Sequence, residues 1–348
     1  MIISKTPYRI SFFGGGTDYN KWIIKNGGDV LSTTIDKYCY IHTRYLPPFF
    51  DYNIRVTWSK IELCNKIEEI NHPVVKKVLK FLPIDISGLE IYHYGDLPAR
   101  SGIGSSSSFT VGLLNALYNL NGTNKSKKQL ASDSIFVEQK LLKESVGSQD
   151  QTAASYGGFN HIKFNKDLTF NVKKIKIKNL IKQRLNQNLL LFFTGINRTS
   201  EIIVKNMLKN YKSKDSYLLN IQRKVKIAKK ILLEGNDIND FGLLLNEAWH
   251  EKKKLSTNIS NTFIDQIYET GIKNGALGGK ILGAGGGGFI LFFANPKYHK
   301  NIIKKFSNLI HVPFKFEDEG SSIIFNNKNE FSSYKKNKKK FKFIEFKG

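Results

Sequence analysis

The chain has 348 residues, 41% of them hydrophobic and 12% aromatic, enough to bury the core of one large domain or two ordinary ones and to exclude wholesale disorder. Its 54 Lys and Arg stand against 29 Asp and Glu, a formal charge of +25, a signature that nucleic-acid-binding proteins share. Most of these lysines are scattered along polar helix faces within a Lys-, Asn- and Ile-rich composition, so the charge reads as solvated surface whose field attracts phosphorylated ligands, with no nucleic-acid partner expected. Two cysteines, Cys39 and Cys64, cannot build a disulfide framework, and MIISKTPYRISFF is too short and interrupted for a secretory signal. No apolar run approaches the ~20 residues of a membrane helix. The expectation is a cytoplasmic protein with no membrane partner; its oligomeric state is not legible.

In chain order, Ile2–Ile3, Tyr38–Tyr45, Ile54–Trp58 and Leu89–Tyr94 read as strands, and His72–Leu82 as a helix with Val75, Val78, Leu79 and Leu82 at helical spacing. A second helix is predicted over Ser105–Leu120, ended by Gly122, and a third over Ser126–Glu144. Tyr156–Phe170 predicts a hairpin turning near Asn165–Asp167, and the polar, basic Lys173–Lys182 an inter-domain passage. A strand over Asn188–Phe193 precedes helices near Ser200–Tyr211, Tyr217–Leu233, Ile238–Lys254 and Thr262–Asn274. Strands return at Lys280–Leu282 and Phe289–Phe293, more weakly near Pro313–Phe316 and Ser321–Phe325, before the basic, aromatic-interleaved end SSYKKNKKKFKF, which reads as a solvated tail. The pattern predicts two α/β or α+β domains, residues 1–182 and 183–348, with a cleft between them.

Several segments carry candidate chemistry. Arg9 leads into Gly14, Gly15, Gly16, Thr17 and Asp18, a loop suited to folding around a small polar ligand. Pro98-Ala-Arg-Ser-Gly-Ile-Gly-Ser-Ser-Ser-Ser108 joins a strand to an amphipathic helix. Gly102 and Gly104 let backbone pass close to a ligand, and Ser105–Ser108 open the helix where free N–H groups favour phosphate oxygens. It is not a GxxxxGK[ST] phosphate loop. Glu138 falls on the apolar stripe of Ala131, Ile135, Leu141 and Leu142, where a carboxylate needs a partner or a metal. Asp150, after a helix and Gly147, reads on its own as an N-cap. The glycine-dense Gly278–Phe289 implies close backbone approach and is not a Rossmann fingerprint.

Together these segments resemble the GHMP kinases, whose three motifs are matched in order by Pro7-Tyr-Arg-Ile-Ser-Phe-Phe-Gly-Gly-Gly-Thr-Asp-Tyr19, Pro98–Ser106 and Lys280-Ile-Leu-Gly-Ala-Gly-Gly-Gly-Gly288. GGGTDY in place of the G-E-H of galactokinases, Phe193-Thr-Gly-Ile-Asn-Arg-Thr-Ser200 and Asn246-Glu-Ala-Trp-His-Glu-Lys-Lys253 look like the bacterial D-glycero-D-manno-heptose 7-phosphate kinases. The resemblance implies an N-terminal α/β domain with a left-handed βαβ crossover, a ferredoxin-like C-terminal domain, and ligands in the cleft. It implies ATP and Mg²⁺ as cofactors and a sugar phosphate as substrate, with heptose 7-phosphate converted to the 1,7-bisphosphate for GDP-heptose synthesis. By the same resemblance Arg100, Ser101, Gly102, Ile103, Gly104, Ser105, Ser106, Ser107 and Ser108 cradle the ATP phosphates, and Ser106 and Glu138 hold Mg²⁺. Asp150 accepts or orients the hydroxyl proton, and Arg9 steadies developing charge. Gly14–Gly16, Thr17 and Asp18 are expected at the sugar, with Gly285 and Gly286 lining its side. Arg198 is ranked ahead of Arg100 and Lys280 for the sugar's phosphate.

Overall fold

The computed structural model describes residues 1–47, 49–86, 88–196, 203, 204, 206, 214–235 and 237–327. The expected helix over Ser200–Tyr211 lies mostly, and the basic tail entirely, outside the described residues. Strand β1 (Ile2–Phe13) and strand β2 (Gly28–Tyr45) pair antiparallel around a short helix α1 (Asn20–Asn26). β2 starts ten residues before the predicted strand because Gly28–Ile35 is buried on both faces, which erases the period-two alternation. β3 (Ile54–Thr57), β4 (Ile61–Cys64), α2 (Pro73–Phe81) and β5 (Leu89–Gly95) follow, β3 pairing parallel to β5. Helix α3 (Ser105–Leu120) has its predicted bounds; almost every side chain on it is buried.

The predicted Ser126–Glu144 helix divides into α4 (Lys127–Phe136) and a π-helical turn (Val137–Leu141), capped at the start by Ser126. Next come α5 (Gln149–Tyr156), the hairpin β6 (Asn160–Phe164) and β7 (Phe170–Lys174), and α6 (Asn179–Gln187). α6 occupies part of the expected passage; its narrow apolar stripe, Ile181 and Leu185, is too slight to stand out among lysines. The second half supplies β8 (Leu189–Phe193), α7 (Asp215–Glu234), α8 (Asn239–Lys253), α9 (Thr262–Lys273), β9 (Ala276–Ile281), β10 (Phe289–Ala294), α10 (Pro296–Lys305), β11 (Ile310–His311), β12 (Phe316–Glu317) and β13 (Ser322–Asn326). α10, absent from the sequence expectations, begins at Asn295, whose side chain accepts from Lys297 N–H, with Pro296 at its first position.

The larger sheet runs β13-β1-β2-β5-β3-β4, with β12 and β6 also on β2 and β7 on β6. The smaller is antiparallel, β11-β8-β10-β9, so its strands lie fourth–first–third–second with helices after the first and third, the ferredoxin-like order. The chain thus has the two-part, mixed helix-and-strand architecture expected. β12 and β13 return to the first sheet from beyond residue 310, so the sheets are not consecutive halves of the chain. One core joins them: Phe12 of β1 stacks on Phe159 at 5.5 Å and meets Phe241 of α8 edge-on at 5.2 Å.

Candidate active site

Arg9 lies mid-strand in β1 with its guanidinium buried. Nε and Nη2 donate to Oδ1 and Oδ2 of Asp150 at 2.8 and 2.7 Å, and Nη1 donates to the Gly102 carbonyl at 2.6 Å. Its backbone N–H donates to the Ile103 carbonyl at 3.1 Å. One strand residue therefore holds both the serine–glycine loop and the aspartate, through a two-pronged geometry that an ammonium cannot reproduce. The Asp150 side chain keeps 25% exposure against 4% for Arg9, so the pair opens to solvent on the carboxylate side. Asp150 is not the N-cap that its local sequence suggests: Ser148 occupies that place, and Asp150 sits in the first turn of α5.

The serine–glycine loop turns sharply into α3. Arg100 takes a positive φ of 59°, its N–H donating to Ser105 Oγ at 3.1 Å, and Gly104 caps α3 in the left-handed conformation. A Cβ on Gly104 would lie 3.2 Å from Arg9 Cγ and 3.5 Å from Asp150 Cγ, so glycine keeps the loop pressed against the ion pair. No side chain caps α3, which leaves first-turn N–H groups and the positive dipole end for an anion. Ser101 and Ser108 turn inward, their hydroxyls donating to Pro98 and Pro7 carbonyls, whereas Ser106 is exposed at the helix entrance.

Glu138 is fully buried in the π turn. Its Oε2 accepts from Ser107 Oγ at 2.9 Å and Gln151 Nε2 at 2.5 Å, while Oε1 is buried without a partner. Burial pushes the Glu138 carboxyl up to about 7 against the pull of the nearby Thr110 hydroxyl, which itself donates to the Ser106 carbonyl, and of Gln151 and Ser107. Ser107 makes this contact, and Ser106, expected with Glu138 at Mg²⁺, is its exposed neighbour at the helix entrance. An orphaned carboxylate oxygen beneath a phosphate-type helix N-terminus fits a Mg²⁺ ion shared with nucleotide phosphates, which needs only one or two protein carboxylates. Among the described residues no three His, Cys, Asp or Glu side chains gather as a protein-only cage.

The Gly14–Asp18 loop is tied down internally. Thr17 Oγ1 donates to the Gly14 carbonyl at 2.8 Å and contacts the Asp29 backbone, and a Cβ on Gly14 would fall 1.9 Å from the Asp29 carbonyl oxygen. Asp18, 1% exposed, accepts from Gly16 N–H at 3.1 Å and Gln149 N–H at 3.2 Å. Burial first, then the Asp150 charge, pushes its carboxyl up to about 6. Thr17 and Asp18, expected at sugar hydroxyls, thus have their polar atoms engaged within the protein. They shape the loop and lock α5 beside it; Ser11 Oγ adds a 2.7 Å bond to Gln149 Oε1. Gly15 has open space, a Cβ there meeting only Ser11 Oγ and Gln149 Nε2 at 3.6 and 3.7 Å.

The second glycine run packs backbone on backbone. A Cβ on Gly283 would lie 2.6 Å from Gly102 Cα, one on Gly288 2.1 Å from the Ser101 carbonyl oxygen, and Phe289 N–H donates to that carbonyl. Gly285 and Gly286 press instead against Ile259, whose carbonyl accepts from Gly286 N–H at 2.8 Å. Lys280 is drawn inside, Nζ donating to the Ser11 and Phe12 carbonyls at 3.0 and 2.7 Å, where the β1–β2 register slips. Arg198 lies outside the described residues, and Arg100 is exposed at the loop entrance. Sequence reasoning missed Gln149 and Gln151, whose only signal is adjacency to Asp150.

The arrangement gathers an uncapped helix start, a buried carboxylate with one free oxygen, and an Arg-held aspartate facing solvent, the parts that phosphoryl transfer needs. Family models for the GHMP kinases N-terminal domain and the GHMP kinases C-terminal domain match residues 65–158 and 227–310. The D-glycero-alpha-D-manno-heptose 7-phosphate kinase of Campylobacter jejuni subsp. jejuni serotype O:2 is 31% identical over 320 residues, 87% of this chain and 92% of that protein. The bifunctional fucokinase/GDP-fucose pyrophosphorylase of Arabidopsis thaliana is 27% identical over 83% of this chain and 29% of its own longer length. Among solved structures, a D-glycero-D-manno-heptose 1-phosphate kinase from Bacteriodes thetaiotaomicron superposes with a TM-score of 0.77 at 25% identity, over 94% of this chain and all of that one. A putative sugar kinase from Campylobacter jejuni gives 0.72 at 28%, over 92% and 97%. The chain belongs to the GHMP kinase family and is an ATP-dependent kinase.

Proposed function

We propose that the chain transfers the γ-phosphoryl group of ATP to the anomeric C1 hydroxyl of D-glycero-D-manno-heptose 7-phosphate, giving the 1,7-bisphosphate in GDP-heptose synthesis for capsule or surface glycans. The observation carrying this reading is the 31% identity to a heptose 7-phosphate kinase over 87% of the chain, together with the Arg9–Asp150 pair at the mouth of the serine–glycine loop. The α3 N-terminus and residues 100–108 would hold the ATP phosphates. Glu138, with Ser106 or Ser107, would hold Mg²⁺, which neutralises phosphate charge when bound. Asp150 offers the sugar hydroxyl an oriented carboxylate acceptor. As the C1 oxygen bonds to phosphorus, the bond to the ADP oxygen breaks and the hydroxyl proton passes to Asp150. Arg9 steadies the charge that gathers beside it.

A second reading, an unphosphorylated heptose or fucose as acceptor, draws on the fucokinase similarity. A non-catalytic, sugar- and ATP-binding role fits poorly with Arg9, Asp150 and Glu138 all assembled at one loop. The test is ADP release with Mg·ATP against heptose 7-phosphate, free heptose, mannose, fucose, galactose and mevalonate. A kcat/KM for the 7-phosphorylated sugar at least a hundredfold above the others is expected. Turnover of an unphosphorylated sugar alone removes the heptose 7-phosphate assignment, and silence across the panel favours the regulatory role.

A further inference from the structure

Helix α5 carries two polar residues in succession that serve opposite sides of it. Asp150 faces Arg9 at the solvent-open mouth. Gln151, about 100° further round the helix, is fully buried and donates from Nε2 to Glu138 Oε2. Ser107 donates to the same oxygen. Buried acceptors ordinarily share the available donors, yet here both fall on Oε2, and Glu138 Oε1 is left bare together with the Gln151 Oε1. Two donors on one oxygen fix the rotation of the carboxylate and present its other oxygen in a single direction. With no exposed surface, Gln151 meets neither nucleotide nor sugar, so whatever it contributes passes through Glu138.

We propose that Gln151 is a positioning residue whose side-chain amide sets the orientation of Glu138 and ties that divalent-cation ligand to the helix bearing Asp150. The cation and the acceptor hydroxyl are then held in register by one rigid turn, with Ser107 as the second strut from α3. Outer-shell partners of this kind typically change metal affinity or activity by about 10–100-fold when removed. The inference rests on the reading of Glu138 as the Mg²⁺ ligand, and its test needs no sugar.

The experiment titrates Mn²⁺ into the full chain saturated with ADP, followed by electron paramagnetic resonance of free Mn²⁺, for wild type, Gln151→Met, Glu138→Gln and the double variant. Gln151→Met should weaken Mn²⁺ by about tenfold, leave ADP binding in EDTA within about twofold, and add nothing in the Glu138→Gln background, the signature of one residue acting through another. Gln151→Asn, which withdraws the amide by one methylene while staying polar, should move in the same direction should the Met variant fold poorly. Wild-type Mn²⁺ affinity in both Gln151 variants, with Glu138→Gln impaired, overturns the positioning role alone. An equal loss from Gln151→Met with and without Glu138, or an equal loss of metal-free ADP binding, overturns it in favour of a packing role. Unchanged affinity in Glu138→Gln removes the cation reading and the inference with it.

Discussion

Arg9 holds both oxygens of Asp150, and each oxygen keeps a second lone pair for a hydroxyl arriving from solvent. Asp150→Asn preserves shape but turns an amide N–H₂ toward the guanidinium and removes the proton acceptor. Turnover should fall by about 10²–10⁴-fold, the usual worth of a positioned base, while calorimetric binding of an unhydrolysable ATP analogue persists. Parallel loss of binding and turnover would mark Asp150 as a structural member of the loop. This residue also measures what local sequence conveys. Its helix-start position is legible in Gly147-Ser-Gln-Asp, but the partner that gives it a role lies in β1, and the family resemblance alone linked the two. Asp18 is the converse, a polar residue in a ligand-like loop whose hydrogen bonds run into its own backbone and α5.

At the scale of elements, β1 is the bench on which the site is assembled. It presents Arg9, bulges after Ser11, and gives the Ser11 and Phe12 carbonyls to Lys280 from β9 of the other sheet. Burial, and next the nearby Arg9, push this lysine down to about 7. Between about pH 7 and 10 the unfolded chain keeps a proton that the folded chain has released, so raising pH favours the folded state. Denaturant unfolding at pH 6.5, 8 and 9.5 should therefore show wild type gaining on Lys280→Met by up to about 1.4 kcal/mol per pH unit across that window. A gap that is the same at all three values would mean that Lys280 titrates as an ordinary surface lysine. The glycines of the 278–289 run serve the same assembly: Gly283 and Gly288 bring β9 and β10 onto the serine–glycine loop, and Gly278 lets α8 close on β9, where a Cβ would sit 2.1 Å from the Gly242 carbonyl oxygen.

At the scale of the molecule, the two sheets share a core and exchange strands. β13 pairs with β1 through Ile2–Lys5, β12 with β2 at Thr34 and Ile35, and Ser321 Oγ bonds Thr6 and Asn115. A fragment of residues 1–182 would lack those strands and would expose Phe12 and Phe13, which are covered by Phe241 of α8. We expect that fragment to show no cooperative thermal transition, and residues 1–327 to unfold in one. A sharp transition in the short fragment would mean that the shared core is dispensable. The division at 182/183 therefore remains a proposal about sequence; in space the last strands belong with the first. No helix among the described residues is long and apolar enough to cross a membrane.

Patterns that depend on near neighbours were written plainly in the chain. The bounds of α3 follow from its apolar stripe and glycine flanks, the β6–β7 hairpin from its alternation, and the phosphate-type helix start from Gly102, Gly104 and the serines. Three ordered motifs were enough for the family. The remainder depended on what each residue meets far along the chain. Ser107 finds Glu138 across the gap between α3 and the π turn, Lys280 finds two carbonyls where β1 bulges, and Gln151 acquires a partner only when α5 docks on α4 and α3. Hydrogen-bond direction is set within a few tenths of an ångström by packing, and periodicity places a side chain on a face without saying which atom it will find there.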